Sequence, residues 1–524
     1  HPDDCDFEAN DRLACKIAED SAVLLKNDGV LPLDEKEKLF VCGDLFEKMR
    51  YQGAGSSMIN PTKLTTPKDA FDAMGVRYTY ARGYAENSTA TNGALLREAL
   101  EGAKKHQKVL VFAGLTDYVE SEGCDRENMR LPENQLALID ALINAGKQVI
   151  VVLFGGSPVE LPFAEKVSAI LHMYLPGQSG GRACASLLFG KANPAGRLAE
   201  TWPLRYEDVP FGKTFGKSEN EVYKESVFVG YRYYTTAKKQ VRYPFGYGLS
   251  YTNFTWSDMQ VQTEGENISV SCLVKNTGAR DGAEVVQLYV SAPESKVFKP
   301  LRELRAFQKV RLAAGEEKEV KLTVNKDELR YFDVQRRGWV LEGGEYQFQL
   351  CSDAATVVLE QAVILEGEHN APYPEDVLKV YQGANLEGLT DEVFEKMSGQ
   401  HIPLLPAQKP ITLESRFSNL EKAGLIGKIL HSAVLSVATK QMKEAKKLPE
   451  GKERDNKIKG AFFLKRILES NSLISMSMSA GKTMPYNFAC GFMELANGHL
   501  FKGIQCFCTK IKASKLPKDQ EEKK

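Results

Sequence analysis

The first part of the chain alternates short, uninterrupted apolar runs with stretches in which apolar residues recur at helical spacing. The apolar runs predict buried strands at 39–43, 77–80, 108–113, 148–154 and 168–173. The stretches between them predict helices around 67–74, 93–105 and 133–146. Strands that are apolar along their whole length and alternate with helices are typical of a mostly parallel sheet covered on both faces.

A further helix is predicted near the start of the chain. It covers 11–27, because Leu13, Ile17, Leu24 and Leu25 recur at helical spacing and a turn signal follows them. From about 201 to 255 aromatic residues, proline and glycine dominate. That composition indicates irregular chain joining two domains.

From about 254 to 365 the pattern of apolar and polar residues changes to a period of two. Residues 268–274 and 346–350 alternate between apolar and polar side chains, and 285–290 reads as a more buried strand. Turn signals separate these runs at short intervals. The pattern predicts a small β-sandwich.

The C-terminal part is helical and basic. Residues 411–524 contain 21 Lys and Arg against 11 Asp and Glu, a net charge of +10. The run 425–435 is apolar enough for a helix at a membrane surface, but packing on a neighbouring domain with the lysines solvated is the explanation that we prefer. We therefore predict four segments: an α/β domain over 1–250, a β-sandwich over 251–366, a linker over 367–410 and a basic helical tail over 411–524.

Composition narrows the class of protein. The chain has 524 residues and a net charge of −1, so its overall charge does not favour a nucleic-acid partner. It has no apolar run long enough for a transmembrane helix. The ten cysteines contain no Cys-x-x-Cys pair and the seven histidines do not cluster, so we predict free thiols and no metal site. With no visible signal peptide, a cytoplasmic location is preferred to secretion. Because the chain begins at His1, we interpret it as a processed product, a fragment or one partner of a split protein.

The strongest candidate for chemistry is the acidic stretch 118–126, which contains Glu120 and Glu122. It follows the predicted strand 108–113, and open α/β sheets place ligand-contacting residues at the carboxyl ends of their strands. A carboxyl group there could act as a general acid or base. The alternative is a solvated acidic loop. Against it, Asp125 and Arg126 form a predicted local ion pair that would fix the shape of the stretch.

A second candidate is the glycine-rich loop 52–57. Glycine turns can bind phosphate, but the loop matches neither the dinucleotide-binding pattern nor the P-loop pattern. We prefer a tight turn that lets the backbone approach a neutral polar ligand. Gln52, Ser56 and Ser57 would then offer uncharged hydrogen bonds suited to sugar hydroxyls.

Several long motifs in a fixed order resemble family 3 glycoside hydrolases of the β-glucosidase-like branch. They are the stretches 18–33, 52–57, 120–132, 176–181, 188–198 and 243–251. The resemblance covers about 10–365 closely. It implies that the predicted β-sandwich is fibronectin type III-like and that the chain corresponds to the second and third parts of such an enzyme, followed by a helical tail.

The resemblance also implies a catalytic role. The acid/base glutamate of the family maps onto Glu122, with Glu120 as the runner-up. The family's aspartate nucleophile belongs to a (β/α)8-like barrel that this sequence does not contain. Trp256-Ser257-Asp258 has the nucleophile's letters in the wrong order, so we assign no nucleophile. No metal or organic cofactor is implied.

Retaining hydrolysis needs two carboxyl groups about 5–5.5 Å apart, so a chain with only one of them should be nearly inactive alone. We expect the partners to be a barrel domain or chain, docked on an apolar face of the α/β domain, and a β-linked oligosaccharide or glucoside. The β-sandwich would serve packing and homo-oligomerisation. Most residues that select among glucoside, xyloside and arabinoside would lie on the barrel.

Two other functions compete with the hydrolase. The first is a non-catalytic carbohydrate-binding or assembly module that has lost its barrel. The second is an unrelated nucleotide-binding α/β protein, in which the loop 52–57 would hold a phosphate.

Overall fold

The computed structural model describes residues 5–122, 125–216, 221–333, 336–368, 373–403, 410–449, 452–479 and 484–509. The chain forms two compact units. The first consists of the residues up to 52 together with 59–116 and 127–403. The second consists of 53–58, 117–126 and the residues from 404 onward.

The first unit begins with an α/β domain built on a six-stranded sheet. The strands are β1 (Val23–Asn27), β2 (Leu39–Cys42), β3 (Tyr78–Ala81), β4 (Lys108–Gly114), β5 (Gln148–Phe154) and β6 (Ala169–His172). The helices are α1 (Phe7–Ser21), α2 (Pro67–Met74), α3 (Gly93–Ala103), α4 (Glu133–Asn144) and α5 (Gly180–Leu188).

The sheet order is β1-β6-β5-β4-β2-β3, and every pair is parallel except β1 with β6. The central strands β4 and β5 are buried from their second residue to their last, which is why they are apolar on both faces. Burying apolar surface at roughly 25 cal/mol per Å² is the main force that holds such a layered domain together.

The helix predicted over 11–27 is wrong in its second half. The helix ends at Ser21, and Val23–Asn27 forms the antiparallel edge strand β1. Leu24 and Leu25 are buried in that strand, whereas Leu13 and Ile17 of α1 are each 58% exposed. The apparent helical spacing therefore came from two different elements, and the pairing with β6 overrides local propensity.

A short connection leads from the α/β domain to a β-sandwich. The connection contains β7 (Trp202–Pro203), α6 (Tyr231–Thr236) and β8 (Val241–Tyr243). The strands of the sandwich are β9 (Phe254–Glu264), β10 (Asn267–Asn276), β11 (Gly282–Ser291), β12 (Glu303–Leu312), β13 (Glu317–Asn325), β14 (Tyr331–Asp333), β15 (Gly338–Val340), β16 (Gly344–Cys351) and β17 (Val357–Leu365). The order β13-β10-β9 forms one sheet and β12-β11-β16-β17 the other, all antiparallel. Strands β14 and β15 pair with each other in a separate antiparallel ribbon.

The β-sandwich is joined firmly to the α/β domain. Arg197 and Glu284 form an ion pair of 2.5 Å whose side chains are only 10% and 12% exposed. The buried Gln287 donates a hydrogen bond of 3.1 Å to the carbonyl of Gly246. Each of these two buried side chains therefore has a polar partner across the junction, as a low-dielectric environment favours.

The segment predicted as a linker contains two helices, α7 (Glu375–Tyr381) and α8 (Asp391–Ser398). Val377 and Tyr381 of α7 are fully buried against Phe228 and Phe298. The prolines and glutamates of this segment suggested irregular chain. Pro374 instead precedes the first turn of α7 and Thr390 caps α8, and tertiary packing then stabilises the helices.

The C-terminal part of the second unit is helical. Its helices are α9 (Gly424–Ala445), α10 (Lys452–Ser470), α11 (Leu473–Ser479), α12 (Tyr486–Ala496) and α13 (Leu500–Cys508). They enclose a core that includes Phe417, Leu420 and Leu473. Across the described part of the chain, no helix has both the length and the apolarity to cross a bilayer. The predicted fold class, a mostly parallel α/β domain followed by a β-sandwich and a helical tail, is confirmed.

Candidate active site

The carboxyl end of β4 is fixed by a buried amide. The side chain of Gln135, on α4, accepts a hydrogen bond of 2.8 Å from the N–H of Gly114 and donates one of 3.0 Å to its carbonyl. Gly114 has φ +152°, and a Cβ there would overlap the backbone of Phe154. The chain therefore leaves β4 at a defined point, just before the stretch that carries the candidate glutamates.

Arg50 ties two chain segments together at this end of the sheet. Its Nη1 donates to the carbonyl of Leu115 at 3.0 Å, and its Nε donates to the carbonyl of Gln52 at 2.9 Å. The residue is only 6% exposed, so these carbonyls satisfy a charged group that would otherwise be costly to bury.

Gln52 closes the base of the glycine-rich loop. Its Oε1 accepts from the N–H of Ile59 at 3.0 Å, and its Nε2 donates to the carbonyl of Ile59 at 3.1 Å and to the hydroxyl of Tyr51 at 3.0 Å. An amide nitrogen has two hydrogens to donate, and both have partners here. This geometry makes Gln52 a loop-shaping residue; its predicted contact with substrate stays a prediction.

In the second unit the glycine-rich loop receives the Glu122 carboxylate. The N–H of Ser56 donates a short hydrogen bond to Glu122 Oε2, and the N–H of Glu122 donates to the carbonyl of Ala54 at 2.9 Å. Gly55 lies between them with φ +123°, and a Cβ at this position would lie 2.5 Å from Glu122 Cβ. The loop thus holds an anion as a phosphate cradle would, but the anion belongs to the protein itself.

These contacts set the charge state of Glu122. Hydrogen bonds from the side chain and then the backbone of Ser56 lower the pKa of the exposed Glu122 carboxyl below its ordinary value of 4.5, because they stabilise the ionised form. Glu122 is therefore an exposed carboxylate at neutral pH in this chain. A general acid needs the opposite shift, toward the working pH.

The remaining predicted residues are placed as follows. Glu120 is partly buried, whereas Ser56 and Ser57 are exposed. Ser57 lies beside Gly53, because a Cβ at Gly53 would be 2.8 Å from Ser57 Oγ. Gly123 and Cys124 of the acidic stretch lie outside the described residues. The roles of Glu122, Glu120, Gln52, Ser56 and Ser57 stay predictions.

The Trp256-Ser257-Asp258 stretch shows no sign of a catalytic carboxylate. Asp258 lies on β9 with φ +55°, and its carboxylate accepts a hydrogen bond of 2.8 Å from Ser257, which is the geometry of a strand irregularity. Within the described ranges, no group of three or more His, Cys, Asp and Glu could hold a metal ion.

Sequence reasoning missed the roles of Arg50 and Gln135 at the carboxyl end of β4. Gln135 stood next to the acidic motif, but an amide on a helix does not reveal that it clamps a strand end 21 residues away. Arg50 reaches Leu115 across 65 residues, and no local pattern encodes such a pair.

Comparison with known proteins identifies related domains. Residues 22–251 match the glycosyl hydrolase family 3 C-terminal domain, and residues 284–354 match the fibronectin type III-like domain. These matches confirm the resemblance that the motifs indicated, including the fibronectin type III-like character of the β-sandwich.

Curated relatives cover the same region. The thermostable beta-glucosidase B of Acetivibrio thermocellus is 42% identical over 367 residues, which are 68% of this chain and 49% of that protein. The exo-alpha-(1->6)-L-arabinopyranosidase of Bifidobacterium longum is 39% identical over 376 residues, or 69% of this chain and 50% of that protein. The chain thus spans about half the length of these relatives.

A solved structure shares the fold. The family 3 beta-glucosidase of Bifidobacterium adolescentis superposes with a TM-score of 0.68 at 37% identity, over 73% of this chain and 58% of that chain. The full-length relatives also have an N-terminal barrel domain.

Proposed function

We propose, from the premise that this chain belongs to glycoside hydrolase family 3 and carries its C-terminal part, that it supplies the general acid/base of a retaining glycosidase. The residue is Glu122, and the nucleophilic carboxylate comes from a barrel that this sequence does not contain. The complete enzyme would cleave terminal β-D-glucosyl or related residues. The observation that carries this proposal is the exposed Glu122 carboxyl, which accepts a hydrogen bond from the backbone of Ser56 in the glycine-rich loop.

The chemistry assigns Glu122 two successive tasks. In its protonated form it gives a proton to the glycosidic oxygen as the bond to the anomeric carbon breaks, while the second carboxylate attacks that carbon. In its ionised form it then takes a proton from the water that releases the sugar. Glu120 is partly buried and therefore less suited to reach a substrate oxygen.

Docking of a barrel would also shift the pKa of Glu122. A docked barrel would remove the carboxyl from water and bring a like charge within about 5–5.5 Å. Both changes disfavour the ionised form and raise the pKa of Glu122 toward the range of a general acid. The isolated chain lacks both this shift and the nucleophilic carboxylate, so it should be nearly inactive.

The α1 helix offers a surface for the barrel. Leu13 and Ile17, one turn apart, are each 58% exposed, and the packed side of the helix carries Asp11 and Ala18 instead. Lys63 pairs with Asp11 at 3.6 Å, which places the exposed residues of 59–64 beside this helix. An exposed apolar face of this kind is typical of a protein contact, and the half of the relatives that this chain does not cover is its proposed occupant.

The test is reconstitution. The chain would be co-expressed with the half of the Acetivibrio thermocellus enzyme that it does not cover, and hydrolysis of aryl β-glucosides would be measured. We expect activity only with both parts. Glu122→Gln should lose kcat/KM on poor leaving groups by about 10²–10⁴-fold but retain kcat/KM on activated ones, because only poor leaving groups need the proton. On activated substrates kcat should fall, because release of the sugar loses its base, and azide should restore it, since a charged nucleophile needs no base.

Glu120→Gln is the matched control, and it should keep near wild-type rates on both classes of leaving group. Full activity of Glu122→Gln on a poor leaving group, or of the isolated chain, contradicts the proposal. A folded chain that binds sugar but never gains activity with a barrel would instead support the non-catalytic module.

Two wider assignments complete the proposal. We propose that the protein works in the cytoplasm, which its lack of cysteine motifs and the free thiols of the nine described cysteines support. We also propose that the fibronectin type III-like domain can pair with a second copy, through exposed side chains such as Phe307 and Ile364. Cell fractionation and light scattering test these two assignments.

A further inference from the structure

The Glu122 segment, residues 117–122, lies in the same compact unit as the C-terminal helices. Two side-chain contacts join it to α10. Lys459 Nζ lies 2.8 Å from Asp117 Oδ2, and the rings of Tyr118 and Phe462 meet edge to face with centroids 5.3 Å apart. One ion pair and one ring contact therefore link adjacent residues of the segment to a single helix.

The two contacting side chains of α10 lie on one face. Lys459 and Phe462 are three residues apart, which is one turn of an α-helix. Arg466, a further turn along, places its guanidinium 5.0 Å from the centre of the Phe462 ring. The Phe462 ring is thus held by a cation as well as by Tyr118, so its position is defined.

The helix itself is anchored. Ala461 is 2% exposed and Ile458 is 7% exposed, and α10 packs along α9. A helix with buried residues on one side and these contacts on another is a fixed support for the segment that it touches.

We propose that α10 is a positioning element for proton transfer and that Lys459 and Phe462 are its positioning residues. This inference rests on the proposed role of Glu122, which lies five residues beyond Asp117. General acid catalysis depends on placement, and a displacement of about 1 Å can cost about 100-fold in rate. The side chains of Lys459 and Asp117 are 35% and 19% exposed, so water partly screens their ion pair. The pair therefore contributes little to stability, and its effect is to fix the position of Asp117.

The first experiment needs no enzymatic activity. Hydrogen exchange of peptides covering 117–122 would be followed in the full chain and in the variants Lys459→Met and Phe462→Ala. The matched control is Lys465→Met, on the same helix, whose side chain is 51% exposed and pairs with Glu469. We expect exchange in 117–122 to accelerate at least about threefold in both test variants and to stay unchanged in the control. Unchanged exchange in both test variants overturns the proposal.

The second experiment uses the complex with the barrel half described above. Lys459→Met and Phe462→Ala should lose about 10- to 100-fold in kcat/KM on a poor leaving group and much less on an activated one. Simple destabilisation would lower both rates equally. The readout is the ratio of kcat/KM on the activated leaving group to kcat/KM on the poor one. The positioning role is overturned if Glu122→Gln changes this ratio while Lys459→Met and Phe462→Ala accelerate exchange but leave it unchanged. If Glu122→Gln itself leaves the ratio unchanged, the proposed function of Glu122 fails, whereas the exchange result still tests the contact of α10 with the segment.

Discussion

The backbone N–H of Ser56 donates a hydrogen bond to the carboxylate of Glu122, although 66 residues separate them in the chain. The Ser56 side chain contributes the larger part of the lowered pKa of Glu122. The glycine-rich loop is therefore part of the acid/base machinery that we propose, because it controls when this carboxyl holds a proton.

The first prediction concerns pH dependence. Ser56→Ala removes the side-chain hydrogen bond that favours the ionised form, so the pKa of Glu122 should rise. In the reconstituted enzyme the basic limb of the kcat/KM profile reports the acid that must be protonated, and it should move to higher pH. Ser57→Ala is the control and should leave the limb in place, since Ser57 gives no hydrogen bond to Glu122 that lowers its pKa.

The second prediction concerns Gly55. Gly55→Ala places a methyl group 2.5 Å from Glu122 Cβ and against its carboxylate, so the Glu122 side chain must move. We expect a loss of about 100-fold on poor leaving groups, because the proton donor is displaced. Gly75→Ala is the matched control: its φ is +69°, nothing lies within 4 Å, and it should cost only about 1 kcal/mol of stability with no loss of rate. Equal losses in the two variants would contradict the steric explanation.

The third prediction concerns the clamp on β4. Gln135→Leu leaves the buried N–H and carbonyl of Gly114 without their side-chain partner. We expect the free energy of unfolding to fall by about 2–3 kcal/mol, measured by urea denaturation. Gln107→Leu removes an exposed amide that donates one hydrogen bond of 3.2 Å, and the change there should stay within about 0.5 kcal/mol. A stable Gln135→Leu variant would show that the clamp is dispensable.

The fourth prediction concerns a buried histidine. Burial lowers the pKa of His172, which contacts Tyr174 and Trp202, from 6.5 to about 3. Between these values the unfolded chain binds a proton that the folded chain does not. Stability should therefore fall as the pH drops below about 6.5, by up to about 1.4 kcal/mol per pH unit.

Tryptophan fluorescence during urea unfolding, with Trp202 as the local reporter, measures this dependence. Burial raises the pKa of the neighbouring Glu200, which acts in the opposite sense, because a raised folded pKa makes stability fall as the pH rises above 4.5. The contribution of His172 is therefore the difference in slope between wild type and His172→Phe from pH 4.5 to 6.5. The stability of the variant should fall less than that of the wild type as the pH drops through this range. An identical slope in the two proteins would reject the assignment.

The fifth prediction concerns barrel docking. Leu13→Asp combined with Ile17→Asp adds charge to an exposed face, so the fold and its melting temperature should change little. Association with the barrel half should weaken at least about tenfold, measured by co-purification and calorimetry, because each charge would have to be desolvated. Lys16→Asp, on the same helix, is a charge control. Unchanged association of the double variant would place the barrel elsewhere.

The sequence predicted the parts of the fold that depend on local pattern. The strands β4 and β5 were predicted almost to the residue, because a strand buried on both faces is apolar throughout. The strand β1 was missed, because its three apolar residues continue the spacing of α1 and only the pairing with β6 distinguishes the two elements. Helices α7 and α8 were missed because their stability comes from packing against Phe228 and Phe298.

The candidate site divides in the same way. Both loops could be singled out from their glycines and acids, but the bond between Ser56 and Glu122 could not, since it joins distant parts of the chain. The contact of Lys459 with Asp117 spans a still longer separation. Long-range pairs of polar residues leave no periodic trace, so a single sequence does not reveal them.

The ion pair of Arg197 and Glu284 bears on how this protein can be re-engineered. Removing one partner of such a nearly buried pair costs about 3–5 kcal/mol, because the other charge loses its compensation. In a chimera joined between the α/β and fibronectin type III-like domains, one residue of the pair would stay buried without its partner wherever the other parent protein lacks the complementary charge. The two domains should therefore be exchanged among relatives as a single cassette, with crossovers placed outside 22–354.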